Sequence, residues 1–241
     1  KRVGGLKWQM DAGVTTLSPD GRTSSQQIEL VSAAVSEMQR RMGHTWMTEL
    51  RPQLREAAGI EILEWQDLTD EEQTQLTAQF RSNIYPILTP LAFDPGHPFP
   101  FISNLSLSLA IVLGHANHAN EHFARVKIPL NRGRWLRLGT SQRYIAIEQV
   151  IAQHAAELFR GMEVRSTHLF RVTRNAELER DGDESEDLLQ MISDELRERR
   201  FAPVVGLEVE KSTPASVREL LIDELEINST DVYDIEGPLD L

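Results

Sequence analysis

No cysteine occurs in the 241 residues, which excludes disulfides, thiolate metal sites and a cysteine nucleophile and fits a reducing compartment. Long apolar runs are missing too. Nothing approaches the roughly 20 residues that span a bilayer, and Lys1 to Gly21 lacks the apolar core of a secretory signal. Basic charge is the minority, 25 Lys and Arg against 37 Asp and Glu, for a formal net charge of −12. A field of that sign repels polyanions at long range, which argues against nucleic acid as a partner and requires any phosphate-binding surface to be locally basic. The expected location is the cytoplasm. Because the chain opens on Lys1 and stops at Leu241 without a tail, it is expected to be a piece of a longer protein.

What is abundant is proline in one place. Between Tyr85 and Phe101 stand Pro86, Pro90, Pro95, Pro98 and Pro100; each removes a backbone donor and biases its predecessor away from the α region, so no helix is expected to run through. Tyr85, Phe93, Phe99 and Phe101 need packing partners, which predicts ordered extended chain and not a loose tether. The character of the sequence changes across this hinge. It predicts a two-domain α+β chain, with an N-terminal helical domain over 1–84 and a mixed α/β middle domain over 85–241.

Before the hinge, Arg2 to Trp8 reads as helix and Ser18-Pro19-Asp20-Gly21 as a turn. Thr23 with Gln26, or Ser24 with Gln27, makes a capping box, and Ile28, Val31, Val35, Met38 and Met42 recur at the spacing of a long bundle helix. Pro52 is expected to end or kink that helix, and Gly59 to stop the stretch beyond the proline. Met38, Met42, Trp46 and Met47 are read as core, because a methionine stripe at helical spacing is more often core than a ligand pocket. Ile60 to Trp65 is extended. Thr69 with Glu72 opens a second helix with Leu76, Phe80 and Ile84 on one face. The phrase Gly13 to Thr23 lacks the Gly-Lys-Ser/Thr ending and the preceding strand of a phosphate loop.

After the hinge, Leu105, Leu107, Leu109, Ile111 and Leu113 alternate with small residues, as in a strand buried mainly on one side. A polar turn is expected over 114–120, strands at 123–128, 135–138, 144–147, 169–173, 204–209 and 231–235, and helices over 148–159 and 184–200. Another helix is expected to be capped by Thr213, with Pro214 at its first position and Val217, Leu220, Leu221 and Leu225 inward.

Three features here are chemical candidates. His115, His118 and His122 carry metal-ligand spacing on a helix, but Gly114, Asn117 and Asn120 favour a turn with solvated histidines. His97 has no apparent base and reads as a structural or interdomain contact. From His122 to Ile147, finally, Arg125, Lys127, Arg132, Arg134, Arg137 and Arg143 occur without one Asp or Glu. Guanidinium forks match phosphate oxygens, although strand alternation splits neighbours between two faces. Phosphate contact, a subunit interface and a solvated face are the readings of this ribbon. Arg171 and Arg174, near Thr173, pose the same choice, with carboxylate pairing as a further one. No catalytic residue and no metal site is read in the chain itself.

The words of the sequence resemble a family. Tyr85-Pro86-Ile87-Leu88-Thr89-Pro90-Leu91-Ala92, His97-Pro98-Phe99-Pro100, Ile102-Ser103-Asn104-Leu105-Ser106-Leu107, Phe123-Ala124-Arg125-Val126-Lys127, Phe170-Arg171-Val172-Thr173-Arg174-Asn175-Ala176 and Tyr233-Asp234-Ile235-Glu236-Gly237-Pro238 are similar to polyphosphate kinase of the large, phosphohistidine-forming type. The resemblance implies an N-terminal and a middle, or head, domain, with two catalytic domains downstream. It implies reversible transfer of the ATP γ-phosphoryl group to polyphosphate with Mg²⁺ and a phosphorylated histidine. That histidine would lie downstream, and an adenine-contacting Asn-Leu-Asp-Glu-Phe motif upstream of Lys1. The implied partners are the chain's own catalytic domains, a second copy in a homodimer or higher oligomer, ATP and polyphosphate, with peripheral approach to the inner membrane left open. The chain alone is expected to be inactive, serving nucleotide positioning and dimerisation. A stand-alone interaction module and a complete small phosphotransferase are the competing readings.

Overall fold

The computed structural model describes residues 1–93, 99–115, 118–175 and 202–240; His97 and the helix expected over 184–200 lie outside these. Helix α1 (Arg2–Asp11) packs on α2 (Ser24–Thr45). The capping box at the start of α2 forms: Thr23 Oγ1 accepts from the Gln26 amide at 3.2 Å, and the Gln26 side chain accepts from the Thr23 amide at 3.0 Å. Pro52 does not break the path. The backbone widens into a π-turn over Trp46–Leu50 and continues into α3 (Arg51–Ala58), with Pro52 directly after the wider turn. Gly59, at φ 64°, ends α3 in the left-handed region that a side chain disfavours. Strand β1 (Glu61–Leu63) comes next, and the Thr69–Glu72 capping box opens α4 (Asp70–Gln79), extended by a π-turn over Phe80–Ile84.

After a short 3₁₀ turn at Tyr85–Ile87, the hinge becomes β2 (Pro90–Phe93), an edge strand where prolines cost little. Then come β3 (Leu107–His115), β4 (His118–Lys127), β5 (Trp135–Arg137), β6 (Arg143–Ala146), α5 (Ile147–Gln153) and α6 (Ala155–Leu158). The last elements are β7 (Glu163–Arg174), β8 (Val204–Glu210), α7 (Ala215–Glu224) and β9 (Val232–Ile235). A six-stranded sheet has the order β2-β4-β3-β7-β8-β9, antiparallel except for β8 and β9, which run parallel across the α7 crossover. A three-stranded sheet, β1-β6-β5, joins β1 parallel to β6. The chain is thus a helical N-terminal region followed by a sheet-containing region.

Two apolar layers sandwich the large sheet. On one face Leu107, Leu109, Ile111, Leu113, Ala124 and Val126 meet Leu76, Phe80 and Ile84 of α4 and its π-turn, together with Ile147, Val150 and Ile151 of α5. On the other, Ala110, Val112, Phe123, Phe170 and Val172 share a layer with Val217, Leu221 and Leu225 from α7. β3 is therefore buried on both faces, not mainly on one: Ser106 and Ser108, which read as solvent-facing, are 7% and 0% exposed. The turn expected over 114–120 also contracts, because β3 runs through His115 and β4 begins at His118, the two pairing directly.

Two further expectations fail. Met38, Met42 and Met47 are exposed, since α2 turns Ile28, Val35 and Gly43 inward and its C-terminal part leans on the backbone of Glu236. At α7, Pro214 is the N-cap and the helix starts at Ala215; Thr213 is buried, and its hydroxyl caps nothing.

Candidate functional site

The basic residues singled out by sequence separate into two groups. Most bond within the chain. The Arg134 guanidinium donates twice to Glu148 Oε1, at 2.8 and 2.6 Å, and once to the Asp240 carbonyl at 3.0 Å. Arg137 donates to the carbonyls of Ser141 and Thr140 at 2.6 and 2.8 Å, locking the turn before β6. Arg143 pairs with Glu61 at 3.2 Å and with Glu72, tying β6 to β1 and to the first turn of α4. On β7, Arg171 pairs with Glu208 at 3.1 Å and Asp240 at 2.8 Å. Arg174 donates to the carbonyls of Ile102 and Ala202, both at 2.8 Å, and lies over the Phe101 ring. Arg132 ends the 3₁₀ turn Leu130–Arg132.

Arg125 and Lys127 differ. They stand two apart on β4 and so share a face, the one opposite α4. Arg125 is 5% exposed, yet its Nε bonds only the Ser108 hydroxyl, at 3.1 Å, and its Nη2 has no partner. Burial alone pushes its guanidinium pKa down, and it still carries its charge, because arginine does not deprotonate in proteins. Lys127 is exposed, with no ion pair among the described residues. The sheet register sets Leu91, Arg125, Ala110 and His168 in one cross-strand row and Lys127, Ser108 and Phe170 in the next. His168 is 9% exposed with Nε2 unpartnered, and burial lowers its pKa, favouring the neutral ring.

Two clefts open elsewhere. One, about 700 Å³, lies between α3, β1 and β6 and is lined by Arg51, Arg55, Glu61, Asp67 and Arg143. Its cations are already engaged: Arg51 donates to the Ile62 carbonyl at 2.6 Å, Arg55 pairs with Glu61 at 3.0 Å, and Arg143 bonds as above. The other, about 530 Å³, is edged by Trp65, Thr77, Arg81 and His154. His154 stacks on Phe80 with centroids 4.6 Å apart, and its two ring nitrogens lie 3.2 Å from Thr77 Oγ1 and 3.0 Å from Glu157 Oε1. Arg81 grips Glu157 with two 3.0 Å bonds and, with His154, holds that carboxyl below its usual range. Because the Thr77 hydroxyl also lies 2.7 Å from its own helical carbonyl at Gln73, it serves as a structural pin here and not as an activated nucleophile. Among the described residues no three His, Asp or Glu side chains converge as metal ligands.

Sequence reasoning passed over Ser108, His168, Glu148 and His154. The alternation of β7 placed His168 on a strand face, but only the three-strand register shows which side chains meet it.

Comparison with known proteins is consistent along the whole chain. A family model described as the polyphosphate kinase N-terminal domain matches residues 1–63, and one described as the polyphosphate kinase middle domain matches 71–241. Among curated relatives, the polyphosphate kinase of Streptomyces coelicolor is 45% identical over 240 residues, covering 100% of this chain and 32% of the relative. Polyphosphate kinase 1 of Chlorobaculum tepidum is 43% identical over 247 residues, covering 99% and 35%. The chain thus spans about a third of the length of the curated relatives it matches. In fold it is similar to the crystal structure of polyphosphate kinase from Porphyromonas gingivalis, with a TM-score of 0.75 at 16% identity over 99% of this chain and 33% of that one.

Proposed function

The chain belongs to the polyphosphate kinase family, and from that premise we propose that it is the N-terminal and middle portion of an enzyme that transfers the γ-phosphoryl group of ATP reversibly to polyphosphate. The observation that carries this reading is the match of both domain descriptions, in order and nearly end to end, by a chain a third as long as its relatives. In this proposal the reacting groups, a phosphorylated histidine and the Mg²⁺ ligands, belong to the remainder of the longer protein. Among the described residues no three carboxylates or histidines converge as Mg²⁺ ligands, and Glu148 and Glu72 are engaged by arginines. The chain's own part is to help position the nucleotide and to join subunits. Its interior supports such a scaffold role: both sides of the large sheet are filled, and Arg143 clamps the helical region to the sheet region through Glu61 and Glu72.

The test separates scaffold from catalyst. Purified alone and incubated with labelled ATP, the chain is expected to take up no acid-labile label and to lengthen no phosphate chain; either event would show that the reacting groups lie within it. A second reading, a stand-alone interaction module, draws on the exposed Leu30, Met38, Met42, Met47 and Leu50 along α2 and the π-turn. A stop codon directly after Leu241 in the encoding gene would favour that module, and an open frame the kinase. No described helix is long and apolar enough to cross a membrane.

A further inference from the structure

We propose that Arg125, Lys127 and Ser108, with His168 at its inner edge, form a seat for a phosphate-type oxyanion on the sheet face opposite α4. Charge points to it first. A guanidinium taken out of water costs several kcal/mol unless an anion meets it, and among the described residues none does: Arg125 has one neutral partner, Ser108, and its Nη2 is unmatched. Arg134, Arg137, Arg143, Arg171 and Arg174 bond carboxylates or carbonyls of their own chain. Arg125 differs from these five, and it is more deeply buried than Arg134 or Arg171.

The donors also share one face. Ser108 is directly opposite Lys127, and Ala110 directly opposite Arg125, so two cations and a hydroxyl occupy adjoining positions on one face. Ala110 also pairs with His168 on its other side. Arg125 and His168 therefore flank a residue with almost no side chain, two strand spacings or roughly 10 Å apart along the sheet. Nη2 of Arg125 and Nε2 of His168 are both without partners. Finally, the seat has an open rim. Leu91, beside Arg125 on the edge strand, is 39% exposed and Lys127 is exposed, so the outer rim is open while the inner end is dry.

A fork, an ammonium, a hydroxyl and an imidazole supply more donors than a planar carboxylate can accept, and their spread suits the oxygens of a tetrahedral anion. Inorganic phosphate and the end of a phosphate chain share that chemistry. The seat itself stands on the geometry; only the preference for the chained form rests on the function proposed above.

The experiment titrates the purified chain at constant ionic strength with inorganic phosphate, tripolyphosphate and chloride, following the melting temperature and the His168 ring protons by NMR. Wild-type protein is expected to show saturable stabilisation by tripolyphosphate, with movement of the His168 signal, and none by chloride. Arg125→Met is expected to melt no lower than wild type without anion, because it removes an unmatched buried charge, and to lose at least about tenfold in affinity. Ser108→Ala, which deletes one hydroxyl and decides the matter if Arg125→Met fails to fold, is expected to weaken binding about threefold to tenfold. Arg22→Gln, on the distant exposed turn, should titrate as wild type. Absence of any saturable phosphate effect, or Arg125→Met or Ser108→Ala binding as tightly as wild type, overturns the seat. Equal affinity for phosphate and tripolyphosphate overturns the chained ligand alone. No turnover enters these readings, so their failure leaves the proposed kinase assignment intact.

Discussion

Arg134 and Glu148 form a pair in which both side chains are nearly withdrawn from water, 12% and 7% exposed. Removing one member strands the other, so Arg134→Met is expected to cost about 3–5 kcal/mol in urea denaturation, whereas Arg134→Met with Glu148→Leu should return to within about 1 kcal/mol of wild type. A single variant no worse than the double would show the pair to be idle. Glu210 offers a pH signature. Burial raises its carboxyl above the ordinary value, the Leu169 amide at 3.0 Å opposes, and the charges of Glu148 and Glu64 push the same way as burial. A raised carboxyl binds its proton more tightly in the folded state, so its contribution is present at low pH and is lost as pH rises through the folded value. Glu210→Gln keeps an acceptor for Leu169 and cannot ionise. It should match wild type near pH 4 and melt about 1–4 °C higher at pH 7. None of these pairings was legible in the sequence: Arg134 meets Glu148 and Asp240, and Arg143 meets Glu61 and Glu72, across separations that only the folded register closes.

Among the elements, the helices announced themselves best at their starts. Thr23–Gln26 and Thr69–Glu72 are reciprocal bonds between near neighbours, so the sequence contains the whole motif. Which face of α2 is buried was not legible, because spacing shows that a stripe exists but not where its partner stands. Beside α1, the partner is β9 with the residue just past it, and the contact is close: a Cβ placed on Gly43 would run into the Glu236 carbonyl oxygen. Alanine for glycine inside a helix ordinarily gains about 1 kcal/mol. Here Gly43→Ala is expected instead to lose about 1–3 kcal/mol, read by chemical denaturation, since the facing backbone must shift. A gain would mean that α2 does not rest on the end of β9. β3 misled for a related reason, its small serines looking like a wet face when a second layer covers them.

At the scale of the molecule, the change of character at the prolines was plain in the sequence, but β1, ahead of them, pairs with β6 behind them. What the sequence hid is how the helical and sheet-containing regions share an interior. Leu68, Leu76, Phe80 and Ile84, all ahead of Tyr85, fill the same layer as the strands behind it. A chain started at Tyr85 is therefore expected to show no cooperative unfolding and no fixed near-UV dichroism. One started at Glu64 should show both, and a folded, cooperative chain from Tyr85 would refute the shared interior. Within the intact chain, Phe80→Ala should cost about 3–5 kcal/mol, the amount typical of a buried aromatic.

Phe80 and Leu239 belong to a single buried cluster, both at 0% exposure. During translation the first leaves the ribosome some 160 residues before the second, and closing such distant contacts is slow. Until β3, β4 and α5 have emerged, α4 must carry its apolar stripe bare, and Leu239 completes the cluster last. The nascent chain is then a natural client for chaperones that hold hydrophobic segments, and slowing synthesis would prolong that dependence instead of relieving it.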